Sequence, residues 1–247
     1  MNRKLTSAII LLVLVSATLF SCKKSSSPQA YSDSLYFPTS MGHYVTYAVD
    51  SMYYFGANCN TKHVTCQVRY TVSDTCRDAK FRPSFIVDVR YRYNDTGSWI
   101  PSLTNTVIVT PTASGLEYSQ NNVQSTKLSY PITSGAQWYA FTQVPAADSN
   151  LQYLVYWTST YPSAGYKTPY SSGSLYFDNT VSVLLDDETI KNTVPDSITF
   201  TYRSYAKEIY ALNVGMVYRE VTRLSYNPYS TECINGVSVT MKAIDHN

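Results

Sequence analysis

His63-Val64-Thr65-Cys66-Gln67-Val68-Arg69-Tyr70-Thr71-Val72 alternates apolar and polar side chains without a break. Successive side chains of an extended chain point to opposite faces, so Val64, Cys66, Val68, Tyr70 and Val72 share one face and the polar residues take the other. The stretch predicts a half-buried strand. The same period of two recurs in Phe85, Val87, Val89, Tyr91 and Tyr93, set against Ile86, Asp88, Arg90 and Arg92. It recurs again in Val237, Val239, Met241 and Ala243, set against Ser238, Thr240 and Lys242. Such alternation marks antiparallel sheet with one wetter face. Further strands are expected at 44–52, 105–110, 116–120, 126–132, 151–158, 180–185, 198–211 and 216–224. Turn residues lie between them, as in Asn94-Asp95-Thr96-Gly97, Thr112-Ala113-Ser114-Gly115 and Ser171-Ser172-Gly173. No long amphipathic helix, tandem repeat or Gly/Ser linker interrupts the pattern. The fold expected is all-β: a single antiparallel meander over 35–247 that curls into a barrel, half-barrel or sandwich.

Composition agrees with this reading. The 247 residues include 24 tyrosines and only 9 glycines, with 15% charged residues, a usage that suits pleated, half-buried surfaces better than helical bundles. Charge narrows the function classes. Removing Arg3 and Lys4 with the leader leaves 17 basic residues of the original 19, matching the 17 acids. A neutral chain whose longest basic run is Lys23-Lys24 does not suit nucleic acid, which needs a surplus of Lys and Arg on one face.

The leader itself is Met1-Asn2-Arg3-Lys4 followed by the apolar run 8–15 and the weaker 16–20. That is the layout of an export signal, and the unbroken apolar part is too short to span a bilayer. It ends in Leu19-Phe20-Ser21-Cys22, which resembles the lipobox of bacterial lipoproteins. The resemblance implies that residues 1–21 are removed and that Cys22 is diacylglycerylated and N-acylated. Two or more acyl chains anchor a protein stably where one does not. Residues 22–34 are polar and aperiodic and read as a tether.

Three segments carry a second resemblance: 36–51 (YFPTSMGHYVTYAVDS), 121–138 (NNVQSTKLSYPITSGAQW) and 205–220 (YAKEIYALNVGMVYRE). In this order, behind a lipobox, they are similar to landmarks of a large group of uncharacterised Bacteroidota lipoproteins. The group has a glycine where this chain has Asn213, ahead of Gly215. Asn tolerates the left-handed backbone of a tight turn next best, so the hairpin is expected to survive. The resemblance implies a β-rich domain at the outer membrane. Surface-exported lipoproteins of such bacteria often carry acids directly after the lipidated cysteine; this chain has none there, which points to the periplasmic face.

Four cysteines remain after Cys22: Cys59, Cys66, Cys76 and Cys233. An even number in an oxidising compartment predicts two disulfides. In an extended chain Cys66 and Cys76 stand about 33 Å apart, against the ~7 Å that a bridge tolerates. The same span argues against Cys59 with Cys76, so the pairing expected is Cys59 with Cys66 and Cys76 with Cys233. A zinc site from Cys59, His63, Cys66 and Cys76 is the sharper alternative, but the paired C-x-x-C knuckles are missing. Asp186-Asp187-Glu188 could approach calcium and reads first as a solvated turn. His43 opens a strand and His246 lies at the end of the sequence; neither G-x-S-x-G nor H-E-x-x-H occurs. Carboxylates for glycan hydrolysis would have to come from Asp88, Glu117, Asp186 and Glu188. Tyr153, Tyr156 and Trp157, or Tyr161, Tyr166 and Tyr170, could stack on sugars or peptides, and read first as filling a thin β-domain. No cofactor or metal is expected. The leading expectation is a non-catalytic, membrane-tethered binding or structural module, partnered by the membrane and by an envelope protein or glycan. A glycan hydrolase and a carrier of apolar ligands are the alternatives.

Overall fold

A computed structural model describes residues 33–247 except 57, 59, 104, 145–153, 156, 191–200 and 227–232. The leader, Cys22 and nearly all of the tether therefore lie outside the described residues. The strands are β1 (Tyr44–Phe55), β2 (Asn60–Arg77), β3 (Pro83–Arg92), β4 (Ile100–Pro101), β5 (Val107–Thr112), β6 (Gly115–Gln120), β7 (Val123–Ser129) and β8 (Gln137–Tyr139). They continue with β9 (Phe141–Gln143), β10 (Thr158–Thr160), β11 (Tyr166–Ser172), β12 (Leu175–Ile190), β13 (Thr201–Ala211), β14 (Gly215–Tyr226) and β15 (Cys233–His246).

All pairings are antiparallel, and the order around the sheet is β8-β10-β12-β13-β14-β15-β1-β2-β3-β5-β6-β7-β9. This is the expected all-β meander, and it takes the barrel form. The first and last strands pair over a long register, from Val45 opposite His246 to Tyr54 opposite Gly236. The two ends of the order, β8 and β9, are halves of one extended segment divided only by Ala140. Its backbone N–H donates to Trp157 O at 3.4 Å, on the β10 side, and its C=O accepts from Thr126 N at 2.7 Å, on the β7 side. With β8 and β9 counted together, twelve strands curl until the sheet meets itself.

That meeting line is thinly laddered. β10 matches β12 only at Thr160 opposite Leu184, and β9 matches β7 only at Gln124 and Ser125. Side chains supply what the backbone lacks there. The Trp138 indole N–H donates to Thr126 O at 2.9 Å. The Tyr161 hydroxyl accepts from Ser129 N and donates to Ser129 O, both at 2.8 Å. The Trp138 and Tyr161 rings lie 4.6 Å apart. These bonds satisfy polar backbone that the short strands would otherwise leave unpaired.

The alternating residues face inward as expected. Val72, Val87, Val89, Val107, Val109, Leu116, Leu128, Val181 and Val183 form one cluster, and Val45, Tyr47, Val217, Met241 and Ala243 a second; Tyr70 and Met216 pack against both. Gly115, in the β5–β6 turn, must be glycine, because a Cβ there would fall 2.3 Å from Leu128 O. Residues 33–43 lie across one end of the barrel. The Asp33 carboxylate is buried and accepts from Ile132 N at 2.8 Å, Tyr36 OH donates to Asn179 at 2.7 Å, and Gly42 N donates to Val72 O at 2.8 Å. The tip of the β13–β14 hairpin is tied to the same segment, with Asn213 N donating to Leu35 O at 2.7 Å.

Several expectations are corrected. Among the described residues of 151–158, Leu154 and Val155 form a turn, with Trp157 N donating to Leu154 O, and strand starts only at Thr158. Cys66 and Cys76 are free thiols. Both lie in the single continuous strand β2, whose first residue is Asn60, so the neighbour of Cys59 stands about 20 Å from Cys66 at ~3.3 Å per residue. Cys76 lies opposite Ser84 at the far end of β2, whereas the Cys233 end of β15 runs out beside Tyr54 and Phe55. Neither Cys59–Cys66 nor Cys76–Cys233 can form across those spans. Cys59 itself, and the side chain of Cys233, lie outside the described residues.

Candidate functional site: the charged interior of the barrel

Strands β13 and β14 each place a charged residue in the inward phase. Glu208 shares its face with Ala206 and Tyr210, and Arg219 shares its face with Val217 and Val221; the two stand directly opposite in the ladder. Across the interior, β7 contributes Lys127, one residue before the buried Leu128.

The Glu208 side chain is 0% exposed. Its Oε1 lies 2.6 Å from Lys127 Nζ and 3.5 Å from Arg219 Nε, and its Oε2 accepts the Tyr210 hydroxyl at 2.6 Å. Burial alone would raise the Glu208 pKa, but Lys127 and Arg219 hold it below the ordinary carboxylate range. Lys127 is pushed down by burial and by repulsion from Arg219, with Glu208 opposing. The cluster therefore sets two cations against one anion inside an apolar wall.

Arg219 keeps 32% of its side chain accessible and is one of the residues lining a cavity inside the barrel. Among the described residues its terminal nitrogens have no hydrogen-bond partner, and neither do the hydroxyls of Tyr70 and Tyr118, which the Arg219 charge reaches. Tyr118 also presents its ring to Lys127 Nζ at 5.2 Å. Burial raises the pKa of Tyr47, Tyr70, Tyr118 and Tyr210, so all four hydroxyls stay protonated near neutral pH. Tyr47 OH donates to Met216 O at 2.7 Å.

Counting only the space that water can enter, the cavity measures about 50 Å³. Its inner end is polar, at Arg219, Lys127 and the tyrosine hydroxyls; its walls are Val45, Val72, Val87 and Met216; its mouth lies between Phe37-Pro38 and Val214-Gly215. His43 spans that mouth, its Nε2 lying 2.9 Å from Val214 O.

Of the carboxylates named from sequence, Asp186 and Glu188 share one face of β12, while Asp88 and Glu117 lie on other strands in ion pairs of their own. Glu117 is gripped by Arg82 at 2.8 and 2.6 Å and by Gln124 at 2.8 Å, and the Arg82 contact keeps its pKa low. Asp88 pairs with Arg90 at 2.6 Å. Asp187 pairs with Arg203 at 2.5 Å. Asp186 is raised by burial and has Glu188 two residues along the same strand. Of the zinc alternative, His63 binds Asp50 at 3.0 Å and sits opposite Met52, on the other face of β2 from Cys66. Trp157 and Tyr161 are buried, Tyr166 donates to Ile132 O at 3.2 Å, and Tyr170 packs edge-on against Tyr218; they are core and seam, not an exposed platform. Tyr153 and Tyr156 lie outside the described residues. Sequence reading missed Lys127, Glu208 and Arg219. The signal for them was present: an ion in the apolar phase, as in Val217-Tyr218-Arg219-Glu220-Val221.

No protein-family model matches the chain, and no curated protein matches it. Two solved structures resemble it. One is an exported protein with a YmcC-like fold from Bacteroides fragilis, at 14% identity and a TM-score of 0.35. The other is a lipoprotein from Parabacteroides distasonis, at 16% identity and a TM-score of 0.29. Each match covers 85% of this chain and 98% of the other. At such distances the function has to be argued from this chain's own geometry.

Proposed function

We propose that this chain is an exported envelope lipoprotein, held by acyl chains on Cys22 at the periplasmic face of the outer membrane, whose barrel is a non-catalytic binding module. The leader and the Leu19-Phe20-Ser21-Cys22 motif support the address. The observation that carries the binding role is the interior cavity beside a cluster with one cation in excess of its carboxylate. Charges taken out of water need partners, and an uncompensated one favours a visiting anion. The non-catalytic reading is supported by Asp88 and Glu117, two of the four carboxylates named from sequence, being tied into ion pairs. A carrier of wholly apolar cargo fits less well, because the cavity ends on charge.

Cell fractionation tests the anchor. The wild-type chain should sediment with outer membranes and incorporate labelled acyl chains, and Cys22→Ser should be soluble and unlabelled. A Cys22→Ser protein that still takes up lipid overturns the lipobox reading, and digestion by protease added to intact cells overturns the periplasmic one.

A further inference from the structure

We infer that the interior cavity binds the carboxylate of a small amphiphile, headgroup inward, with Arg219, Tyr70 and Tyr118 as its hydrogen-bond donors. This deepens the binding-module reading and rests on it. Three observations converge. First, Glu208 cannot neutralise both Lys127 and Arg219. Its Oε1 is 2.6 Å from the lysine and only 3.5 Å from Arg219 Nε, and its other oxygen is taken by Tyr210. Arg219 lines the cavity, and its planar fork of donors, which no described residue engages at its terminal nitrogens, suits a carboxylate. Second, the free hydroxyls of Tyr70 and Tyr118 lie within the reach of the Arg219 charge and remain protonated, so they can only strengthen an anion site. Third, the space leading from these donors to the mouth is walled by Val45, Val72, Val87 and Met216 and closed by Phe37 and Pro38. A small inorganic anion would leave that wall facing water, whereas a short hydrocarbon tail would cover it. A cation is excluded by the sign of the cluster, and a neutral alcohol would leave the excess charge unanswered.

The test is calorimetric titration of the full lipidated chain in a non-ionic detergent with three water-soluble probes of one length: hexanoate, hexan-1-ol and hexylammonium. Acetate serves as the headgroup without the tail. Hexanoate should bind saturably, at least tenfold tighter than acetate or hexanol, and hexylammonium should not bind. Arg219→Gln should weaken hexanoate at least tenfold. Because that variant could disturb folding, Tyr70→Phe and Tyr118→Phe provide a second measure. Each removes one oxygen atom and should weaken hexanoate several-fold while leaving the melting temperature within a few degrees. Absence of hexanoate binding, equal binding of hexanol or acetate, or wild-type affinity in all three variants each overturns the inference. None of these results bears on the anchor, which the Cys22→Ser fractionation tests separately, so the two failures are distinguishable.

Discussion

Removing the anion of the interior cluster should cost far more than removing a cation. In wild type, Glu208 is fully buried and is the anion set between Lys127 and Arg219. Glu208→Gln keeps the shape but leaves two cations facing each other in the barrel, and Tyr210 loses a charged acceptor at 2.6 Å. Breaking a buried ion pair from one side costs about 3–5 kcal/mol. For a chain of this size that is a fall in melting temperature of roughly 6–20 °C. Lys127→Met removes the surplus cation instead, leaving Arg219 and Glu208 as a balanced pair and filling the vacated space with an unbranched side chain. Replacing buried ions by apolar groups of similar volume is often near neutral, so a change within about 1 kcal/mol is expected. The double variant should recover most of what Glu208→Gln loses, a coupling of about 2 kcal/mol or more. Urea unfolding monitored by tryptophan fluorescence measures all four proteins. Equal losses for Lys127→Met and Glu208→Gln would refute the charge count on which the cavity's anion preference depends.

The remaining predictions concern thiols, a turn and alkaline stability. Cys66 and Cys76 should alkylate in native protein, slowly at neutral pH because burial raises both thiols and Asp74 and Asp78 raise Cys76 further. Any disulfide should join Cys59 to Cys233 alone, and peptide mapping that finds Cys66 or Cys76 bridged contradicts the β2 register. Gly215 has φ +101°, and a Cβ there would meet only Pro38 at an ordinary 3.8 Å, so Gly215→Val should cost about 1–3 kcal/mol through backbone strain. Asn213, at φ 64°, should accept glycine without loss, and unchanged melting of Gly215→Val would contradict the turn. Tyr36 is pushed up to about 12, mainly by burial, and Tyr47, Tyr118 and Tyr210 are raised well above the ordinary phenol value. A folded pKa above the unfolded one, about 10, gives stability that is complete below pH 10 and lost as pH rises through 12. Urea midpoints should therefore fall between about pH 9 and 11.5, and a flat profile would show these hydroxyls reaching water.

Where strands are long and faces differ, the fold was legible. β2, β3 and β15 show alternation in sequence because one face meets the core and the other meets solvent. The seam was not legible: β8, β9 and β10 have three residues each, too few for a period to show, and their registry depends on Trp138 and Tyr161 reaching distant carbonyls. The strand expected at 151–158 failed because apolar residues there fill the interior from a turn, as Leu154 and Trp157 do. The site stayed hidden for a different reason. Lys127, Glu208 and Arg219 look like surface residues one at a time, and only the closure of β7 against β13 and β14 through the interior makes them a cluster. The expected disulfides failed through continuity: the alternation begins at His63, whereas β2 begins at Asn60, so the chain just after Cys59 is already extended and carries Cys66 away from it.

The pairing of β1 with β15 has a consequence for how the molecule is made. A chain crossing a membrane from its amino end delivers Val45, in β1, 201 residues before its partner His246. Until β15 arrives, β1 and β14 both present unpaired edges, the feature that invites association between molecules. Closure of so long a loop is also slow. If the chain is exported as proposed, the β1 edge stays open for most of the passage, and solubility in that interval depends on whatever shields it, not on the stability of the finished barrel.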